Sequence, residues 1–322
     1  MHSKNMTSTV ALLLSILTAC GDDGDEQSGT LSVLLEAEDT ITDGLDPGED
    51  VENVRDGWQV RFDRYIVAVG DILVRLATDS SVRANDSDVF VVDLSRVPPS
   101  GLPLWELPGL RAGRWDFGYS LASAAGAIQH ESVDAANFEA MRAADATYLV
   151  AGTLTQSGGR SCPPPSLAAP GSRAASGTNA AGQICYENPT LTFEWLVPAK
   201  ASFGPCELDG VPGVSVTEGG TQTVAATLHG DHLTFNGFPE GDEGGVLRLI
   251  QWLADCDLDV DGSVTRDELE AIPPSALAEL DARYQLGGSP LQPLDSMWTY
   301  VVAQLSTQGH MNGEGECALT LP

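Results

Sequence analysis

WQVRFDRYIVAVGDILVRL, residues 58–76, is the strongest β-forming stretch of the chain. Its first half alternates, with Val60 and Phe62 set against Arg61 and Asp63. Successive side chains of a strand point to opposite faces, so this spacing describes a strand with one dry side and one wet side. Gly70-Asp71 interrupts the run and predicts a break into two strands.

Working outward, Leu31 to Glu36, Asp88 to Leu94, Gly113 to Leu121 and Thr147 to Thr155 are short and rich in β-branched and aromatic residues, and each predicts a strand. The Pro-Gly-rich crossing from Val97 to Pro108 predicts a loop. Ser132 is placed to cap one helix running to about Ala144, with Val133, Phe138 and Met141 inward. Many strands and one helix predict an antiparallel β-sandwich over residues 31–155. Leu110-Arg-Ala-Gly-Arg-Trp115 resembles the strand opening of prealbumin-like sandwiches. Residues 156–189, poor in bulky apolar side chains, predict a Gly/Pro/Ser-rich loop or linker. A second β region over 190–322 begins with Thr190 to Val197 and Gly220 to Leu228, and ends in a strand after Cys317. Helical spacing recurs over Ser275 to Tyr284 and Ser296 to Leu305, with Gly309 as a stop. The fold class expected is mainly β with a helical part.

Within that second region, DLDVDGSVTRDE (257–268) has the spacing D-x-D-x-D-G-x5-E. Asp257, Asp259 and Asp261 can each turn an oxygen inward, Gly262 permits the sharp bend, and Ser263 offers its carbonyl. Thr265 can hold a bridging water, and Glu268 closes the shell with two oxygens, the donor set a calcium ion requires. Val246, Leu249, Ile250 and Leu253 predict one face of an entering helix, and Pro273-Pro274 stops the exiting one. The segment resembles the EF-hand family over about 30 residues. The resemblance implies a helix-loop-helix and bound Ca2+. Val260 departs from the family pattern, being apolar where a small or polar residue is usual. Glu36 to Asn53 is a further acidic loop, with Asp43, Asp46, Glu49 and Asp50 around Pro47-Gly48.

The 322 residues carry 46 acidic and 16 basic side chains, a formal charge of −30. Such a chain repels nucleic acid and anionic lipid and attracts cations, so nucleic-acid binding is excluded as a function class. At the amino terminus, Lys4 precedes the apolar run Val10 to Leu17, too short to span a bilayer but suited to a secretory signal. Leu17-Thr-Ala-Cys20 resembles a bacterial lipobox. The resemblance implies a signal peptide over 1–19, lipid on Cys20, an acidic tether over 20–30, and membrane attachment in the cell envelope, at the outer membrane or cell surface.

Cysteine spacing favours bridges Cys162–Cys185 and Cys206–Cys317 with Cys256 a buried free thiol, although spacing alone leaves other pairings open. Three histidines cluster in the second half. His229-Gly230-Asp231-His232 ends a strand, and a bulge at Gly230 would turn both rings to one side, whereas strict alternation would separate them. His310 follows the Gly309 stop. Three imidazoles with the Asp231 carboxylate would suit zinc or copper, if the fold brings them together. These stretches together resemble a pattern of uncharacterised bacterial lipoproteins, a likeness that implies no activity.

No nucleophile elbow and no phosphate loop occurs, and His130-Glu131-Ser132-Val133-Asp134 has aspartate where a zincin motif needs its second histidine. The reading is therefore a lipid-anchored calcium-binding protein whose ion is chiefly structural, with no catalysis inferred. A transition-metal carrier using His229, His232 and His310 is the first alternative. A sugar-binding or hydrolytic sandwich, with Trp58, Trp105 or Trp115 stacking on a ligand, is the second.

Overall fold

The computed structural model describes residues 28–238, 246–284, 286, 289 and 291–322. Cys20, the signal segment and most of the acidic tether lie outside the described residues. Two principal sheets enclose one large apolar core, as in a β-sandwich. The longer strands of the first half are β1 (Ser28–Ala37), β2 (Gln59–Leu76), β3 (Asp79–Asp93), β4 (Leu102–Arg111), β5 (Gly113–Leu121) and β6 (Tyr148–Thr155). The second half adds β7 (Thr190–Val197), β8 (Ala201–Leu208), β9 (Thr221–Leu228), β10 (Ser263–Val264), β11 (Gly309–Met311) and β12 (Glu316–Thr320). The smaller sheet runs β11-β9-β1-β4, and the larger runs β8-β5-β2-β6-β7-β10, with β3 on β2 and β12 on β8. Both halves of the sequence contribute strands to both sheets.

Asp71 does not split β2. It takes φ 53°, in the left-handed region, and the register with β3 shifts between Gly70 and Ile72. The interruption is a bulge that bends one continuous strand. Gly70 leaves no room for a side chain, since an added Cβ would lie 2.2 Å from the Asp88 carbonyl oxygen. The unbroken apolar run Tyr65 to Val69 has a two-sided explanation. Tyr65, Val67 and Val69 enter the main core, whereas Ile66 and Ala68 enter a second cluster beneath helix α1 (Ala135–Ala143) with Val133, Phe138 and Met141. That helix is capped by Asp134, not Ser132: the Asn137 amide donates to Asp134 Oδ1 at 2.9 Å. The expected loop at Val97 to Pro108 is partly β4, which tolerates Pro103 and Pro108 because it is the sheet's edge.

Disulfides join Cys162 to Cys185 and Cys206 to Cys317, and Cys256 is free and buried. The second bridge links directly opposed residues of β8 and β12. Trp58, Trp105 and Trp115 are at most 3% exposed, and their indole N–H groups donate to Gln251, the Asp88 carbonyl and the Arg111 carbonyl. They fill the interior and present no stacking surface.

Besides a single helical turn over Asp39–Thr42, the remaining helices are α2 (Gln251–Asp255), α3 (Arg266–Ala271), α4 (Pro274–Leu280) and α5 (Met297–Leu305). The apolar spacing from Val246 does not form a helix before Gln251. Instead, the Leu249 amide donates to the Thr234 carbonyl, and Arg248 bridges to both Val54 and Phe235. Val246, Leu249, Ile250 and Leu253 are all buried, and the first three precede the helix. Tertiary hydrogen bonds have overridden a helical period here. No helix among the described residues is long and apolar enough to cross a membrane.

Candidate metal centre

Two registers bring the histidines together. In the smaller sheet β1 runs parallel to β9 with Ala37 opposite Leu228, and β11 runs antiparallel to β9 with Gly309 opposite Leu228. Glu38 and His229 follow these pairs at one end of the sheet, and His310, opposite Thr227 one step back along β9, lies beside them. A 3-10 turn over Asp231–Thr234 then folds the chain back and returns His232 to the same place. Gly230 is not a bulge: it has φ −80°, and its role is space, because a Cβ there would lie 2.6 Å from Ile41. Gly309 is required similarly, since a Cβ would meet the Phe203 ring at 2.5 Å.

One nitrogen from each of His229, His232 and His310 lies within 4.8 Å of the other two, and all three residues are buried. The His229 and His310 rings stack with centroids 3.9 Å apart, and Phe235 stacks on His232 at 4.8 Å. Tyr119 Oη donates to the His310 carbonyl at 2.9 Å, fixing the backbone beneath the ring.

Neighbouring groups set the proton positions. His229 Nε2 is 3.0 Å from the Gly313 carbonyl oxygen, which can only accept, so Nε2 carries the hydrogen and Nδ1 the lone pair of the neutral ring. His232 Nδ1 is 2.8 Å from Thr307 Oγ1. That hydroxyl spends its one proton on the Gln304 carbonyl at 2.7 Å, so it accepts from Nδ1 and leaves the lone pair of His232 on Nε2. His232 Nε2 stands 3.4 Å from His310 Nε2. Two nitrogens, each about 2.05 Å from one tetrahedral ion, lie about 3.3 Å apart. Such outer-shell contacts orient metal-binding imidazoles and choose their tautomers.

Carboxylates border the trio. Glu38 Oε2 is 3.7 Å from His229 Nδ1, and Glu38, His229 and Asp231 form a second group whose donor atoms lie within 4.8 Å of one another. Burial, and then the charge of Asp231, raise the Glu38 pKa above the ordinary carboxylate range. Asp231 is fully buried and bound through Oδ2 by Nε and Nη2 of Arg248, whereas its Oδ1 has no hydrogen-bond partner among the described residues. Glu314 adds a further negative charge near Glu38, and when Glu38 and Asp231 are ionised this pocket attracts cations.

The Asp257–Glu268 loop forms a separate cluster. Asp257, Asp259 and Glu268 each turn an oxygen within 4.8 Å of the others. Asp261 points its Oδ1 to the Ser263 amide at 2.8 Å and lies outside that group. Thr265 caps α3, its hydroxyl donating to Glu268 Oε2 at 2.7 Å, while Glu268 Oε1 accepts from the Leu258 amide. Asp257 accepts from the Asp261 and Gly262 amides and from Asn188 Nδ2, yet burial still pushes its pKa up to about 6. Val260 is buried with φ 58°, a strained setting for a β-branched residue. Ser263 and Val264 pair in parallel with Thr192 and Phe193, so the loop lies along the edge of the larger sheet. The other acidic loop is spent on ion pairs, Asp46 with Arg61 and Glu49 with Arg55.

Sequence reasoning named the three histidines and Asp231 but missed Glu38 and Arg248. Glu38 stood in an acidic loop, and Arg248 sat inside an apolar run read as helix. No family model, curated protein or solved structure matches the chain.

Proposed function

We propose that this is a metal-binding protein of the cell envelope that holds one transition-metal ion, zinc or copper, on His229, His232 and His310. The observation that carries the reading is the 3.4 Å approach of His232 Nε2 to His310 Nε2, with the His232 lone pair turned toward its neighbour by Thr307. Three neutral imidazoles without sulfur suit divalent zinc or copper. Exchange of the ion with a partner suits the role of a carrier. The test is elemental analysis of protein purified without chelator. One zinc or copper per chain is expected, and it should be lost in a His232→Ala, His310→Ala variant. A wild-type protein that binds neither metal at micromolar concentration would sink the reading.

A calcium ion on the Asp257–Glu268 loop is a second part of the proposal, favoured by the convergence of Asp257, Asp259 and Glu268. Its role is structural, and its dissociation constant belongs with extracellular modules at about 10⁻⁴–10⁻³ M. Lipid on Cys20 would hold the protein at the membrane, in keeping with two disulfides that require an oxidising compartment. Cys20→Ser should release the protein from the membrane fraction, and intact-mass measurement of the mature chain reads the lipid directly.

A further inference from the structure

We infer that Glu38, His229 and Asp231 form an outer docking site for a divalent transition-metal cation, which is then passed to the histidine trio through the shared His229. The inference rests on the metal-binding reading of that trio. Three observations support it. First, His229 belongs to both groups, so an ion held by the outer set is already on a ligand of the inner one. Second, the donors differ in access. The Glu38 side chain is 28% exposed, against 2% for His229, while Asp231, His232 and His310 are buried. Among these five described residues, Glu38 is where a hydrated ion first meets a ligand. Third, Asp231 Oδ1 is buried without a hydrogen-bond partner among the described residues, an oxygen whose desolvation a passing cation would offset.

The transfer is a ligand exchange with no redox step. The incoming ion replaces bound water with a Glu38 oxygen and the His229 Nδ1 lone pair, beside Asp231. It then leaves the carboxylates as His232 Nε2 and His310 Nε2 take their place. Charge explains the order: two carboxylates attract a hydrated dication at long range, whereas imidazoles hold it only once water has been shed. An acid that lowers the barrier for loading lowers it equally for release, which is what a carrier needs.

The experiment is stopped-flow loading of zinc into the full chain from a chromophoric chelator, alongside equilibrium competition with the same chelator. Glu38→Gln preserves shape and can still accept from Thr40 Oγ1, now 2.6 Å from Glu38 Oε2. It should load zinc at least about tenfold more slowly and release it more slowly by the same factor, while the equilibrium affinity moves less than about threefold. Asp39→Asn, an exposed neighbour of equal charge, should change loading less than about twofold. Unchanged loading in Glu38→Gln overturns the inference. So does an affinity that falls in step with the rate, because Glu38 would then be a ligand of the resting ion. If the wild-type chain takes up no zinc, the trio reading fails first. If it binds zinc normally and Glu38→Gln is kinetically silent, only the docking site is lost.

Discussion

Thr307 touches no proposed ligand atom, yet it decides which nitrogen of His232 faces the cluster. Thr307→Val removes that hydroxyl while keeping shape. It should weaken zinc affinity about tenfold or more, the usual scale for losing an outer-shell contact, as read by chelator competition. On the proposed calcium loop, Asp257 sets a pH limit. Its folded pKa is about 6 without the ion, and calcium needs the carboxylate ionised. Calcium affinity should therefore be flat above pH 7 and fall toward tenfold per pH unit below about 6, a dependence that calorimetric titration checks. Asp255 acts on folding itself. Burial pushes its pKa up to about 8, although Cys162 N and Gln251 Nε2 donate to Oδ1. Between about pH 4 and 8 the native state binds the proton that the unfolded chain has released, so this group's contribution declines as pH rises through that window. The cost above pH 8 is on the order of 5 kcal/mol. Asp255→Asn keeps the acceptor and cannot ionise, so urea denaturation in excess calcium should find it more stable than wild type at pH 8, with little difference at pH 4.

Among the elements, β11 is closely packed at its first residue. Gly309 places β11 against the Phe203 ring with no space for a methyl group, and His310 follows immediately. Gly309→Ala should cost about 1–3 kcal/mol by overpacking and also weaken transition-metal binding, because the displaced strand carries a ligand. A urea melt combined with the chelator assay separates this variant from Gly219→Ala. Gly219 has open space but φ 64°, so that change strains a turn without touching the metal. The Asp257–Glu268 loop and the histidine cluster also share supports. Met297 at the start of α5 donates to the Ile272 carbonyl just after α3, and Arg266 stacks on Trp298. The far end of α5 leads into Thr307 and Gln308, whose carbonyl accepts from the His229 amide.

For the molecule as a whole, the two disulfides constrain very different lengths of chain. Cys162–Cys185 spans 23 positions and Cys206–Cys317 spans 111. On the chain-entropy model, their loss costs about 3.4 and about 4.8 kcal/mol respectively. The Cys206→Ser, Cys317→Ser variant should therefore melt lower than Cys162→Ser, Cys185→Ser, and differential scanning calorimetry can rank them. The longer bridge pins β12 to β8 near the strand that holds His310, so its removal should also loosen metal binding.

Local pattern carried much of this molecule. The alternation in Val60 to Asp63, the β-rich runs at Gly113 to Leu121 and Thr190 to Val197, and the helical spacing over Ser296 to Leu305 are legible because they depend on neighbours within a few residues. So is the acid spacing of 257–268, because a loop of that length curls its own carboxylates together. Where Gly70-Asp71 suggested an ending, Asp71 accepted a left-handed backbone and β2 continued. Where Val246 to Ile250 suggested a helix, hydrogen bonds to Asn236 and Thr234 drew that segment out. The histidine trio was named in the sequence only as residue types; its existence as a site depends on which strand end lies beside which. His229 and His310 are 81 positions apart in the chain, and the β1-β9-β11 registers alone make them neighbours and bring Glu38 to them. Composition and short-range spacing thus determined the strands and the acidic loop, whereas strand pairing, a long-range choice fixed by burial of one face, decided the histidine cluster.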